Sequence, residues 1–209
     1  MLRAVLAIVP VRGRDGKSRL DGFLSPDERA RLVEAMLADV LAACADASAV
    51  SEILVVTPNP SLARGDAEVL VDDGTGHAQA IACALGDPRV RAGALVVMGD
   101  CPLASGHSLD RLAEAAKPVA LAPASDGGVN ALVLREVGAF EPAFGVTGAA
   151  VLTVERARAA EVEAAVVDDP ELAFDVDNPA DVWRLREHEE TTRAHAVLHE
   201  ILQVTGGLV

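Results

Sequence analysis

Short aliphatic runs alternate along this chain with segments of helical periodicity, and few architectures accept such a pattern. The runs are Val5–Val9, Ile53–Thr57, Glu68–Val71, Ala94–Met98, Pro118–Ala122, Asn130–Leu134 and Ala164–Val167. Between the first two, Ser25-Pro26-Asp27-Glu28 reads as an N-cap, a proline in the first helical turn and a capping-box glutamate. Val33, Met36, Leu37, Val40, Leu41 and Cys44 then repeat at spacings of three and four, the apolar stripe of a helix. Gly76–Leu85 and Ser108–Ala116 read as further helices. Strands joined by helical crossovers form parallel pairs, with helices covering both faces of the sheet. The expected fold is therefore a single-domain three-layer α/β/α arrangement around a mostly parallel sheet. In such sheets ligands bind beyond the carboxyl ends of the strands.

The chain has 209 residues, enough for a full core without metal or disulfide support. Three widely spaced cysteines, Cys44, Cys83 and Cys101, suit reduced thiols better than a disulfide framework or a zinc site. A net charge of −14 argues against a nucleic-acid partner, and 2% aromatics leaves little for stacking on bases. No apolar run is long enough for a membrane span, and the amino end reads as a strand rather than a signal peptide, so a cytoplasmic location is expected. From Pro179 to Leu202 the chain is again helical in character, with Val182, Leu185, Val197, Leu198, Ile201 and Leu202 as apolar positions. The charged stretch Arg184–Arg193 divides them into two helices or one bent helix. The last apolar face suits packing on the body, or on a second subunit in a homodimer.

Against this acidic background, four of the 18 basic residues, Arg12, Arg14, Lys17 and Arg19, fall within eight positions just after the first strand. Lys17 is one of two lysines in the chain, and Gly13 and Gly16 let backbone N–H groups approach an anion. A phosphate-binding loop fits this segment, and so does a solvated loop paired with nearby carboxylates.

Two acidic elements lie further along. The strand Leu95-Val96-Val97-Met98 ends in Gly99-Asp100-Cys101-Pro102, which places Asp100 where an α/β site would be. It reads as a ligand for a hard divalent cation or as a helix cap. In Phe174-Asp175-Val176-Asp177-Asn178-Pro179, Asp175 and Asp177 alternate around Val176 and face one side if the segment is extended. One of them offers a second ligand, or caps the helix that begins at Pro179. The sequence does not choose between the two.

The segment Ser125-Asp126-Gly127-Gly128-Val129-Asn130 reads either as a hairpin turn or as a loop closing over a ligand. Phe144-Gly145-Val146-Thr147-Gly148 is a second tight loop. Of five histidines, His188, His195 and His199 lie in the tail while His77 and His107 sit at helix starts, so a nucleophile–histidine–acid arrangement is hard to build. A basic phosphate loop with carboxylates from separate strands suits Mg2+-assisted nucleotidyl transfer instead. An attacking phosphate is already ionised and needs no general base.

In order and spacing these segments resemble the phospholactate/phosphoenolpyruvate guanylyltransferases, which make the phosphodiester precursor of the deazaflavin coenzyme F(420). The resemblance rests on Pro10-Val11 leading to Lys17-Ser18-Arg19-Leu20, on Leu24-Ser25-Pro26-Asp27-Glu28-Arg29 and on Asp100-Cys101-Pro102-Leu103. It rests further on Asp126-Gly127-Gly128-Val129-Asn130-Ala131-Leu132 and on Phe174-Asp175-Val176-Asp177-Asn178-Pro179-Ala180-Asp181. It implies a MobA-like nucleotidyltransferase domain of the GT-A, nucleotide-diphospho-sugar-transferase type over residues 1–186, with 187–209 as a helical extension. GTP would be joined to 2-phospholactate, phosphoenolpyruvate or 3-phosphoglycerate with release of pyrophosphate.

The resemblance also distributes roles. Lys17 and Asp100 would be catalytic, and Mg2+ would be held by Asp100 with Asp175 or Asp177. Pro10, Val11, Arg12, Lys17, Arg19, Thr57, Gly76 and Gln79 would bind the nucleotide. Gly127, Gly128, Asn130, Phe144, Gly145 and Thr147 would hold the acid. Where the family shows Gly-Leu-Asn this chain reads Gly76-His77-Ala78-Gln79, and Gly148 and Val151 lie where a serine and a histidine usually follow Phe-Gly. A relative with another base or acceptor, cytidylyl or sugar-phosphate, shares much of this pattern, as would a nucleotide-binding homologue without turnover.

Overall fold

The computed structural model describes residues 4–13, 16–62, 65–90, 93–188 and 192–206, so Arg14 and Asp15 of the basic loop lie outside it. The chain runs β1 (Val5–Pro10), α1 (Pro26–Asp46), β2 (Val50–Thr57), β3 (Glu68–Val71), α2 (His77–Leu85), β4 (Ala94–Val97) and α3 (Gly106–Ala115). It continues through β5 (Val119–Pro123), β6 (Val129–Leu134), α4 (Ala149–Ala159), β7 (Ala164–Val166), α5 (Pro170–Ala173), α6 (Pro179–Arg186) and α7 (Arg193–Gly206). No helix among the described residues is long and apolar enough to cross a membrane.

The strands form one sheet in the order β3-β2-β1-β4-β6-β5-β7. All neighbouring pairs are parallel except those made by β6, which runs antiparallel to both β4 and β5. The sheet is buried on both faces, and its side chains divide by the two-residue period of a strand. Val5, Ala7 and Val9 of β1 join one core, while Leu6 and Ile8 join the other. The first core is closed by α1, α3, α6 and α7, the second by α2 and α4.

Helix α1 begins as its sequence indicates. Ser25 accepts from the Glu28 amide, and Glu28 accepts from the Ser25 amide at 2.8 Å, completing the capping box. Its stripe of Leu32, Met36, Leu37 and Val40 is fully buried, each side chain stabilising the fold by roughly 1.5–3 kcal/mol. The tail forms two helices rather than one bent one. Ala194, Leu198 and Ile201 of α7 are buried in the same core as α1, and Asp39 of α1 accepts from the amides of Arg193 and Ala194 at its start.

The topology decides where chemistry can gather. Because β1 and β4 are parallel neighbours, the basic loop after β1 and the Asp100 segment after β4 emerge at the same sheet edge. The reversal of β6 brings its first residues, rather than its last, to that edge. The Met98 amide donates to the Asn130 carbonyl at 2.8 Å, so Asn130 stands beside the end of β4.

Candidate active site

At this edge the basic loop, the β4–α3 segment, the β5–β6 hairpin and the α5–α6 segment enclose a crevice of about 490 Å3. Its walls carry Pro10, Val11, Arg12, Lys17 and Arg19 on one side and Asp100, Asp175 and Asp177 on another. Gly128, Asn130, Gly145 and Thr147 contribute from the two glycine loops.

Each acidic group is positioned by backbone rather than by a cap. The N-cap of α3 is Ser105, which frees Asp100, and the N-cap of α6 is Asn178, closed by Asp181. Asp181 also accepts from the Asp177 amide at 3.0 Å. The Val176 amide donates to the Asp100 carbonyl at 3.2 Å, and the Val176 side chain is fully buried. With Val176 turned into the core, Asp175 and Asp177 both face the crevice, as alternation in an extended segment requires. Carboxylate oxygens of Asp100, Asp175 and Asp177 lie within 4.8 Å of one another.

Lys17 reaches into this cluster. Its ammonium donates to Asp100 and, at 2.5 Å, to Asp177, while Arg19 donates to the other Asp177 oxygen at 3.0 Å. Lys17 adopts a left-handed backbone with φ of 63°, a conformation that costs a non-glycine residue about 1–2 kcal/mol. Gly13, with φ of 91°, accepts from the Gly16 amide and tightens the loop before it. The strained turn directs the lysine inward.

The electrostatics follow from that crowding. Burial alone would lower the Lys17 pKa, but Asp100 and Asp177 outweigh it and hold the ammonium above its ordinary value. Burial also opposes ionisation of Asp177, yet Lys17 and Arg19 keep its carboxyl below the usual range. Asp175 is pushed up to about 6, first by burial and then by the Asp100 charge, although Asn130 donates to it at 3.2 Å. His77 at the start of α2 lines the same crevice, and burial together with Arg12 and Lys17 lowers its pKa.

The three clustered carboxylates pair with one ammonium and one guanidinium, and with Asp126 against Arg12 the crevice wall keeps a net negative charge at a point open to solvent. An all-oxygen donor set of that kind fits a hard divalent cation such as Mg2+, which uses one or two carboxylates and completes its shell with water or phosphate. Asp100, Asp175 and Asp177 are the residues able to hold it.

Other sequence-derived candidates fall further away. Gly76 lies beside the basic loop, where a Cβ would stand 3.3 Å from the Arg12 guanidinium. Thr57 is buried and its hydroxyl accepts from the Asn59 amide, and Gln79 is exposed. Phe144 is buried in the second core. Neither Thr57, Gln79, Phe144 nor Gly127 lines the crevice, although the Gly127 carbonyl accepts from the Ala150 amide and ties the two glycine loops together. The hairpin turn also supplies crevice wall through Asp126 and Gly128, with Asp126 accepting from the Gly128 amide at 2.9 Å. Sequence reasoning passed over His77 and Asp126 as site residues. Their adjacency to Gly76 and Gly127 was the available signal.

Comparison with known proteins identifies the family and the fold. Residues 5–205 match the family described as "Guanylyl transferase CofC like". A phosphoenolpyruvate guanylyltransferase from Sphaerobacter thermophilus is 37% identical over 194 residues, spanning 88% of this chain and 93% of that protein. A 2-phospho-L-lactate guanylyltransferase from Haloarcula marismortui is 36% identical over 214 residues, spanning 96% of this chain and 95% of its own length. Among solved structures, a protein from Desulfovibrio desulfuricans G20 assigned as a nucleotide-diphospho-sugar transferase superposes with a TM-score of 0.75 at 18% identity. It covers 97% of this chain and 96% of its own, which shows the fold. The chain belongs to the CofC-like guanylyltransferase family of nucleotidyltransferases.

Proposed function

We propose that the protein transfers GMP from GTP to a small phosphorylated three-carbon acid, namely 2-phospholactate, phosphoenolpyruvate or 3-phosphoglycerate, with Mg2+ as cofactor and in the service of coenzyme F(420) assembly. The observation that carries the reading is the convergence of Lys17 with Asp100 and Asp177 at one crevice. The relatives' names point to guanine and to phosphoenolpyruvate or 2-phospholactate, and the geometry supports a transfer at phosphate.

In this reading the triphosphate lies along the basic loop, where Arg12, Lys17 and Arg19 face its oxygens. Asp100, Asp175 and Asp177 would hold Mg2+. When bound, the ion supplies positive charge against the phosphate oxygens on which negative charge gathers. A phosphate oxygen of the acid bonds to the α-phosphorus, the bond from that phosphorus to the bridging oxygen breaks, and pyrophosphate leaves with the electron pair. The attacking phosphate is ionised at neutral pH, so no residue has to remove a proton. Lys17 contributes by fixed orientation: its ammonium is already held in the crevice before the nucleotide arrives, so little reorganisation accompanies the reaction. Gly128, Gly145 and Thr147 also line the crevice and would receive the acid.

Pyrophosphate release with GTP, ATP, CTP and UTP, each against the three acids, tests the proposal. Release with GTP and one of the acids, dependent on Mg2+, is the expected result. Release with CTP or UTP in preference, or nucleotide binding without release for every acid offered, would contradict it.

A further inference from the structure

Asn130, near the start of β6, is a polar side chain buried to 5% exposure at the inner end of the crevice. Both hydrogens of its amide are spent on the α5–α6 segment. Its Nδ2 donates to the Leu172 carbonyl at 3.0 Å and to Asp175 Oδ1 at 3.2 Å. Leu172 belongs to α5, a helix so short that this carbonyl has no partner within it. A buried carbonyl without a donor is costly, so the Leu172 bond anchors the amide. The two hydrogens share one planar nitrogen, and closing the first bond aims the second at Asp175.

An amide suits this place among carboxylates. Lys17 bonds Asp100 and Asp177, and among the described residues Asn130 is the one side chain that donates to Asp175. A guanidinium there would orient Asp175 equally well, but its charge would cancel the attraction for a divalent cation. A neutral amide orients the carboxylate and leaves its charge in force. With both donors engaged, Asn130 keeps only Oδ1, an acceptor, and an ionised phospho-acid brings acceptors of its own.

We propose that Asn130 is a positioning residue: it holds the Asp175 carboxylate in the orientation that receives the divalent cation, and it does not bind the acid. The assignment rests on the Mg2+-dependent transfer proposed above and adds the residue that stands behind one of its ligands.

Mn2+ binding in the presence of GTP, followed by electron paramagnetic resonance, tests it on wild type, Asn130→Ala and the milder Asn130→Ser. Affinity is read from the fraction of protein that saturates, so partial misfolding does not imitate the effect. Both variants should bind Mn2+ about 10- to 100-fold more weakly than wild type, the loss typical when the partner of a metal ligand is removed. In an Asp175→Ala background, where Asp100 and Asp177 remain, Asn130→Ala should cost no more than about twofold further, because the carboxylate it acts through is gone. At saturating Mg2+ the KM for whichever of the three acids wild type turns over should stay within about twofold in Asn130→Ala, while a residue touching the acid would raise it. Wild-type Mn2+ affinity in Asn130→Ala, an undiminished loss in the Asp175→Ala background, or a raised KM for the acid would overturn the role of Asn130 and leave guanylyl transfer standing. Wild-type protein without saturable Mn2+ binding would overturn both.

Discussion

Two groups of acidic side chains sit only a few residues apart in the chain and meet opposite fates. Asp169, almost fully buried, caps α5 by accepting from the amides of Glu171 and Leu172. Its other oxygen accepts from Arg111 Nη2 at 2.5 Å and Nε at 3.1 Å. Both oxygens are satisfied, and the carboxylate meets a guanidinium of opposite charge. Asp175 and Asp177, with Asp100, crowd instead around a single lysine and an exposed Arg19. The first group is complete as the protein stands and acts on stability. The second keeps more negative charge than Lys17 and Arg19 match, which suits it to a further cation.

Substitutions can break that contrast. Asp100→Asn keeps the shape and removes one charge of the unbalanced group. Pyrophosphate release should fall by about 10²- to 10³-fold, a loss typical of one electrostatic group at a reacting phosphate. The melting temperature should hold or rise. Near-normal turnover would place the cation elsewhere. Asp169→Asn should do the reverse, leaving turnover of the folded enzyme little changed. Loss of a buried, charge-assisted pair to a partly exposed arginine should lower stability by about 2–3 kcal/mol. For a chain of this length that corresponds to a melting temperature lower by roughly 4–12 °C.

The smallest effect sharpens the contrast through pH. The Asp175 carboxyl is raised to about 6, above its value in an unfolded chain, so the folded state binds the extra proton more tightly. The resulting stability is present at pH 4 and is lost as pH rises through 6. In metal-free protein at pH 8, Asp175→Asn should therefore stabilise by about 1–2 kcal/mol, after allowance for solvent screening at a half-buried group. At pH 4 the variant and the wild type should melt together. Thermal melts at the two pH values in chelator decide it, and a variant less stable at pH 8 would show that Asp175 is held by favourable contacts rather than strained by its neighbours.

Much of this was legible in residue order. Consecutive apolar positions located all the strands, and Ser25-Pro26-Asp27-Glu28 located the start of α1, because strand and cap signals are local. The Asp175-Val176-Asp177 alternation read correctly for the same reason. What escaped was non-local or weakly patterned. Helix α4, Ala149–Ala159, is rich in small residues and packs on the sheet without a sharp apolar stripe. Strand β2 begins at Val50, earlier than expected, because Ser51 and Glu52 are exposed and polar there. The antiparallel course of β6 depends on pairing with β4 and β5, which no window of sequence reports. That reversal is what brings Asn130 to Asp175.

The account depends on the unbalanced carboxylates taking up a divalent cation, and titration with Mn2+ followed by electron paramagnetic resonance reads that event without turnover. Wild type and Asp169→Asn should each bind one ion at the crevice, with affinity rising when GTP is present, and Asp100→Asn should lose that site. Equal binding by wild type and Asp100→Asn, or no saturable binding to wild type with GTP present, would contradict it.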